Sequence, residues 1–125
     1  MNTIETIKDC MNLLPKLISR TKEGKLAWQP QENDLEQSSP SFVASLPDGI
    51  SFSIHSLLTG LTLTMSDDKK NLLVATLEHN PAYGYDVQGE QEVYQYLNQL
   101  YGMAGRSAYG VEKKVKQVSD LLDAL

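Results

Sequence analysis

The chain has too few cysteines for the disulfides that stabilise small secreted domains, and it has no long apolar run. Its one cysteine, Cys10, cannot form an internal disulfide, which fits a reducing compartment. The longest purely apolar run, Leu72 to Ala75, is far shorter than the about 20 residues that cross a bilayer. The first residues lack the cationic and apolar regions of a secretory signal. We therefore expect a cytoplasmic protein without a membrane partner.

Basic residues are scarce through most of the chain. The sequence has 11 Lys and Arg against 16 Asp and Glu, and residues 26–68 and 71–105 contain no Lys or Arg at all. Nucleic-acid binding needs clustered cations to neutralise phosphates, so we expect no nucleic-acid partner. The acidic middle of the chain favours a basic protein partner, although the same charge also keeps an ordinary surface soluble.

Sequence motifs of catalysis and metal binding are also missing. His55 and His79 lie far apart in the chain, and no Cys-x-x-Cys or His-Glu-x-x-His spacing occurs. There is no Gly-x-Ser-x-Gly elbow, phosphate loop or dinucleotide fingerprint. Cys10 lies beside an apolar helical stripe, where a buried, inert thiol is expected. We predict no catalytic residue, no metal site and no cofactor, and we favour a protein without enzymatic activity.

Hydrophobic periodicity predicts one α+β domain over residues 1–125. Apolar residues recur at helical spacing from Ile4 to Ile18, with Pro15 expected to kink or split this first helix. The period then changes to two in residues 42–46, 50–54 and 61–65, and residues 72–78 also read as a strand. Because the connections are short, these four strands predict an antiparallel meander, with 26–28 as a short fifth strand.

The helical period returns after residue 89 and predicts two C-terminal helices. The first carries Val93, Leu97 and Leu100 on one stripe, and Gly110 is a natural stop. The second repeats apolar residues at spacings of four and three, namely Val111, Val115, Val118, Leu122 and Leu125. We expect both helices to pack as a hairpin on the apolar face of the sheet, with Trp28 sealing the first helix to the sheet.

Tyrosine is the most unevenly distributed residue. All six tyrosines fall between positions 83 and 109. Tyrosine combines contact area with a polar tip, so Tyr83, Tyr85, Tyr94 and Tyr96 are candidates for a protein-binding patch, with half-buried packing as the alternative. Tyr101 belongs to the apolar stripe of its helix. The row of Ser51, Ser53 and His55 is interpreted as a solvated strand face rather than a catalytic row.

Three segments of the chain have a familiar outline. Thr21 to Trp28, Phe42 to Leu46, and Leu100 to Arg106 followed by Gly110-Val111 and a final helix resemble a recurring group of small uncharacterised prokaryotic α+β proteins. The resemblance implies the same order of elements, and it implies no activity or catalytic residue. The chain departs from the pattern at Gly102 and Gly105, where bulkier helix formers are expected.

These observations favour a non-catalytic protein-interaction module or regulator. One alternative is an acidic chaperone or immunity-type protein that binds a basic partner. An alternative of another class is a small-ligand sensor or enzyme, with a pocket between sheet and helices that uses His55, His79, Tyr83 or Tyr85. A homodimer through an edge strand or a helix face is left open.

Overall fold

The computed structural model describes residues 3–31, 40–68, 70–85 and 87–125. The elements follow the chain as α1 (Ile4–Lys22), β1 (Gln29–Gln31), β2 (Ser41–Ser45), β3 (Ile50–Ser56), β4 (Gly60–Asp67), β5 (Lys70–Glu78), α2 (Glu90–Ala108) and α3 (Val111–Asp123). The predicted α+β class and the order of helices and strands are confirmed. No helix in these four ranges is long and apolar enough to cross a membrane.

The sheet has five strands in the order of the sequence, and every neighbouring pair is antiparallel. The predicted meander is therefore correct, and the fifth strand exists. It begins at Gln29 rather than at Leu26, which corrects the predicted position. The reason lies in Trp28, whose backbone N–H donates to Ser107 Oγ at 3.0 Å in α2 instead of to a strand. The ladder begins one residue later.

Helix α1 is one continuous helix and is not split at Pro15. Pro15 is exposed, and the Met11 carbonyl loses its helical donor there without ending the helix. The helix ends at Lys22, and Gly24, just beyond its C-cap Glu23, has a φ of +76°. The Lys25 amide then donates back to the Arg20 carbonyl at 2.9 Å, the reverse hydrogen bond that closes many helix C-termini.

Helices α1 and α2 cover one face of the sheet, and α2 contacts all five strands. Trp28 is 1 % exposed, and its indole N–H donates to Thr21 Oγ1 of α1 at 2.9 Å, so it seals α1 to the sheet as predicted. Helix α2 runs unbroken through both of its glycines. A Cβ at Gly105 would lie 3.2 Å from the Phe42 ring, so this glycine permits the close approach of α2 to β2.

Helix α3 differs from the expectation that both C-terminal helices lie on the sheet. No residue of α3 is buried, and its main contacts are with α2. Helices α1 and α2 occupy most of the apolar face of the sheet, and α3 packs beside α2 instead. At the junction Gly110 has a φ of +60°, and Arg106 forms an ion pair with Glu112 at 2.7 Å. Helix α3 is thus attached to the body through its first turn.

Candidate functional site

Three of the four candidate tyrosines gather where β5 ends and α2 begins. Tyr83 is 100 % exposed on the connecting loop. The Tyr85 hydroxyl donates to the Glu78 carbonyl at 2.8 Å, and the Tyr94 hydroxyl contacts His79 Nδ1 with the two rings edge to face. Burial raises the pKa of Tyr85 above its usual range, and nearby Tyr94 adds to the shift. Tyr85 and Tyr94 are therefore half-buried and already engaged, while Tyr83 alone offers a whole side chain.

Tyr96 points away from this cluster. It lies two residues after Tyr94 in α2, which places the two side chains about 200° apart around the helix axis. Both are half-buried against the core. The four tyrosines therefore do not share one face, and a patch that binds a partner would consist of Tyr83, Tyr85 and Tyr94. That role remains a prediction.

The structure reveals a serine–histidine pair that the sequence analysis did not single out. His55 Nδ1 lies 2.7 Å from Ser41 Oγ across the β2–β3 ladder, whereas Ser51 and Ser53 are its neighbours along β3. Burial lowers the pKa of His55, which favours the neutral ring. Ser41 is only 1 % exposed, so a substrate has no access to its hydroxyl. The pair acts as a structural hydrogen bond between two strands, a contact that sequence spacing alone could not show.

Elsewhere in the described part of the chain, titratable groups do not form a metal site or an activated nucleophile. The described ranges contain no group of three or more His, Cys, Asp or Glu side chains able to hold a metal ion. Cys10 is completely buried, and burial raises its pKa to about 11. Since the thiolate is the reactive form, this cysteine is an inert core residue, as expected.

Three of the acidic residues that the structure describes in the middle of the chain lie at opposite ends of the sheet. Asp67 and Asp68 stand at the β4–β5 turn, where Gly49 of the preceding hairpin approaches the Asp68 carboxylate. Glu78 ends β5 at the opposite end of the strand, near Tyr85. A single acidic face for a basic partner is therefore not built from these residues.

A first open groove lies between the C-terminal half of α1 and the end of the sheet. Its volume is about 460 Å³. The floor is apolar, formed by Leu13, Leu17, Leu26, Leu46, Ile50, Phe52 and Met65. Three cations stand on its rim: Lys16, Arg20 and Lys25. Glu23 pairs with Arg20 at 2.8 Å and with Lys25 at 3.2 Å, so the rim keeps a net positive charge. None of the histidines or tyrosines proposed for a pocket lines this groove.

A larger uncovered apolar surface runs along α3. We call it the α3 face; it consists of Val111, Val115, Val118, Leu122 and Leu125. The last four are 57 %, 50 %, 62 % and 100 % exposed, and neighbouring Leu121 is 60 % exposed. An open groove of about 580 Å³ follows this face from Tyr109 to Leu122. Monomeric proteins seldom expose contiguous apolar stripes of this kind, which usually mark an interaction site.

The spacing of the apolar residues in the α3 face is visible in the sequence, and it indicates that this face is not packed on the core. Steps of four, three, four and three produce a narrow stripe with a period of 3.5 residues. A helix that packs on a globular core shows a wider apolar stripe, whereas this narrow one is typical of the seam between paired helices. The expectation that this stripe packs on the sheet is wrong, because α3 has no buried residue.

Comparison of the chain with protein-family models, with curated proteins and with solved structures finds no match. The resemblance to a group of small prokaryotic proteins therefore stays an expectation.

Proposed function

We propose that the protein is a non-catalytic protein-interaction module and that α3 is its binding element. The observation that supports this proposal is the α3 face, whose side chains from Val115 onward are at least half exposed. Exposed apolar surface is costly in water, at about 25 cal/mol per Å². A partner that covers the face removes that cost.

The weak support that α3 receives from its own chain is consistent with a binding role. The helix has 13 residues and no buried side chain. Isolated helices shorter than about 12 to 15 residues are only marginally stable in water, because most helix stability in proteins comes from packing. We therefore expect α3 to fray in the free monomer and to become fully helical when its apolar face is covered.

Site-specific photocrosslinking in the native cells tests this function. A photoreactive amino acid at position 118 places the probe in the α3 face, and the same probe at position 113 points to the polar side of the same helix. We expect a discrete crosslinked protein from position 118 and none from position 113. Neither variant disturbs the core, because both positions are exposed.

Two results would refute the proposal. One is the absence of any crosslinked species from position 118, and the other is the same crosslinks from both positions. A basic protein linked at position 118 would support the chaperone or immunity alternative within the same function class.

A second candidate function is suggested by the groove beside α1. Its apolar floor and cationic rim match the two parts of a small amphipathic anion, an acyl chain and a carboxylate. Of the rim cations, Lys16 has no carboxylate within ion-pair distance among the described residues, whereas Arg20 and Lys25 share Glu23. We infer that an alkyl carboxylate would bind with its head group near Lys16.

Thermal shift measurements with matched surfactants below their micelle concentration test this second function. Decanoate should raise the melting temperature, whereas decyltrimethylammonium should not. Lys16→Glu should abolish the decanoate effect, and Lys8→Glu, in the same helix but outside the groove, should retain it. Equal responses to the two surfactants would exclude the site.

A further inference from the structure

One carboxylate at the end of α1 engages two of the three cations on the rim of the groove beside α1. Glu23, the C-cap residue of the helix, accepts from Arg20 Nη1 through both of its oxygens, at 2.8 Å and 3.1 Å. Its Oε2 also lies 3.2 Å from Lys25 Nζ. The third rim cation, Lys16, has no ion-pair partner in the described part of the chain. Glu23 therefore sets how much positive charge the rim offers to a ligand.

The Glu23 carboxylate is held in place by a third donor as well. Ser19 Oγ, one turn back in α1, donates to Glu23 Oε1 at 3.0 Å. Hydrogen bonding from Lys25 and from Ser19, together with the charge of Arg20, lowers the pKa of the Glu23 carboxyl below its usual range. The carboxylate consequently keeps its negative charge beside the rim at neutral pH.

A ligand head group on the rim lies close to this negative charge. Lys16, Arg20 and Glu23 follow one another on the same side of α1 at steps of four and three residues, about 6 Å and 5 Å along the helix axis. A head group between Lys16 and Arg20 is thus within about 8 Å of Glu23 along the axis, the Debye length at physiological salt. Because Coulomb energy scales with the product of the charges, Glu23 repels a dianion twice as strongly as a monoanion.

We propose that Glu23 is a specificity-determining residue of the groove, and that it lowers the affinity for doubly charged head groups relative to singly charged ones. This inference rests on the second function proposed above, because it concerns the ligand of the same groove. It narrows the class of ligand from amphipathic anions in general to those with a singly charged head group, such as a carboxylate, and it disfavours alkyl phosphates.

Two surfactants with the same chain and the same head-group shape test the proposal on the purified full chain. Decyl sulfate carries one negative charge, whereas decyl phosphate carries nearly two at pH 8, because the second pKa of a phosphate monoester is about 6. Titration calorimetry below the micelle concentrations gives the affinity for each. The ratio of the phosphate affinity to the sulfate affinity reports the effect of head-group charge, because the contacts of the decyl chain cancel.

Glu23→Gln removes the charge and keeps the size of the side chain. It should raise the affinity for decyl sulfate about threefold and for decyl phosphate about tenfold, the effect of one exposed charge contact applied once and twice. The ratio therefore rises about threefold. Glu5→Gln, which removes an equal charge from the first turn of α1, should leave the ratio unchanged. The gain from Glu23→Gln should disappear at 1 M salt, where the Debye length is about 3 Å, whereas a purely structural effect would persist.

The possible results separate this inference from the function of the groove. If Glu23→Gln leaves the ratio unchanged, or if Glu5→Gln raises it equally, the inference is overturned, while stabilisation of the wild type by decanoate would still support the groove as a binding site. A rise that persists at 1 M salt would also overturn it, since the effect would not be electrostatic. If neither the wild type nor Glu23→Gln binds any of these surfactants, the function and the inference are both excluded.

Discussion

Two leucine-to-alanine substitutions separate the role of α3 from that of the core. Leu100 in α2 is completely buried, whereas Leu122 in α3 is 62 % exposed. In a dilute solution of the monomer, Leu100→Ala should lower the free energy of unfolding by about 2–5 kcal/mol, the range for a buried leucine that leaves a cavity. Leu122→Ala should change it by less than about 0.5 kcal/mol, since the side chain is not packed and alanine is a good helix former.

The difference is large enough for a simple thermal assay. For a chain of 125 residues, 1 kcal/mol corresponds to a shift in melting temperature of about 4 °C. Leu100→Ala should therefore melt about 8–20 °C below the wild type, and Leu122→Ala within about 2 °C of it. Circular dichroism at low protein concentration measures both. A loss of several kcal/mol for Leu122→Ala in the dilute monomer would refute the reasoning, since it would show α3 packed on its own body.

Three further predictions concern the core and its buried groups. Gly60→Ala should lower the free energy of unfolding by about 2–4 kcal/mol, because a Cβ there would lie 2.1 Å from the Leu77 carbonyl oxygen. Gly102→Ala should raise it by about 0.5–1 kcal/mol, because a Cβ there meets nothing within 4 Å and alanine favours the helix. Urea unfolding measures both changes. Cys10, with a pKa of about 11 and no exposure, should react with a thiol reagent at pH 8 only after unfolding. Burial lowers the pKa of His55 below its ordinary 6.5, so the unfolded chain takes up the proton first as the pH falls. The free energy of unfolding should therefore be highest above about pH 6.5 and decline below it. His55→Gln should reduce this pH dependence, as measured by urea unfolding at several pH values.

The fold was largely predictable because its signals are local. Alternation of period two in residues 50–54 and 61–65 predicts hairpin strands, and the structure has these as β3 and β4. The pattern around Pro15 predicted either a kink or a split, and the structure has one helix through that residue. The location of α3 could not be read from its pattern. An apolar stripe indicates that one face of a helix favours burial, but it does not show which surface will bury it.

The candidate site was less predictable, because it depends on what long-range packing leaves uncovered. Tyrosine clustering between residues 83 and 109 indicated a surface, yet hydrogen bonds to Glu78 and His79 engage two of those side chains. The pairing of Ser41 with His55 follows from strand register, which single residues do not specify.

Photocrosslinking from position 118 in the native cells is the most direct test of the central claim, that α3 is a binding element. A probe there should give a discrete crosslinked protein, and Leu122→Asp, which places a charge in the exposed α3 face, should abolish that product. No crosslinked product from position 118, or a product that Leu122→Asp leaves unchanged, would contradict the account.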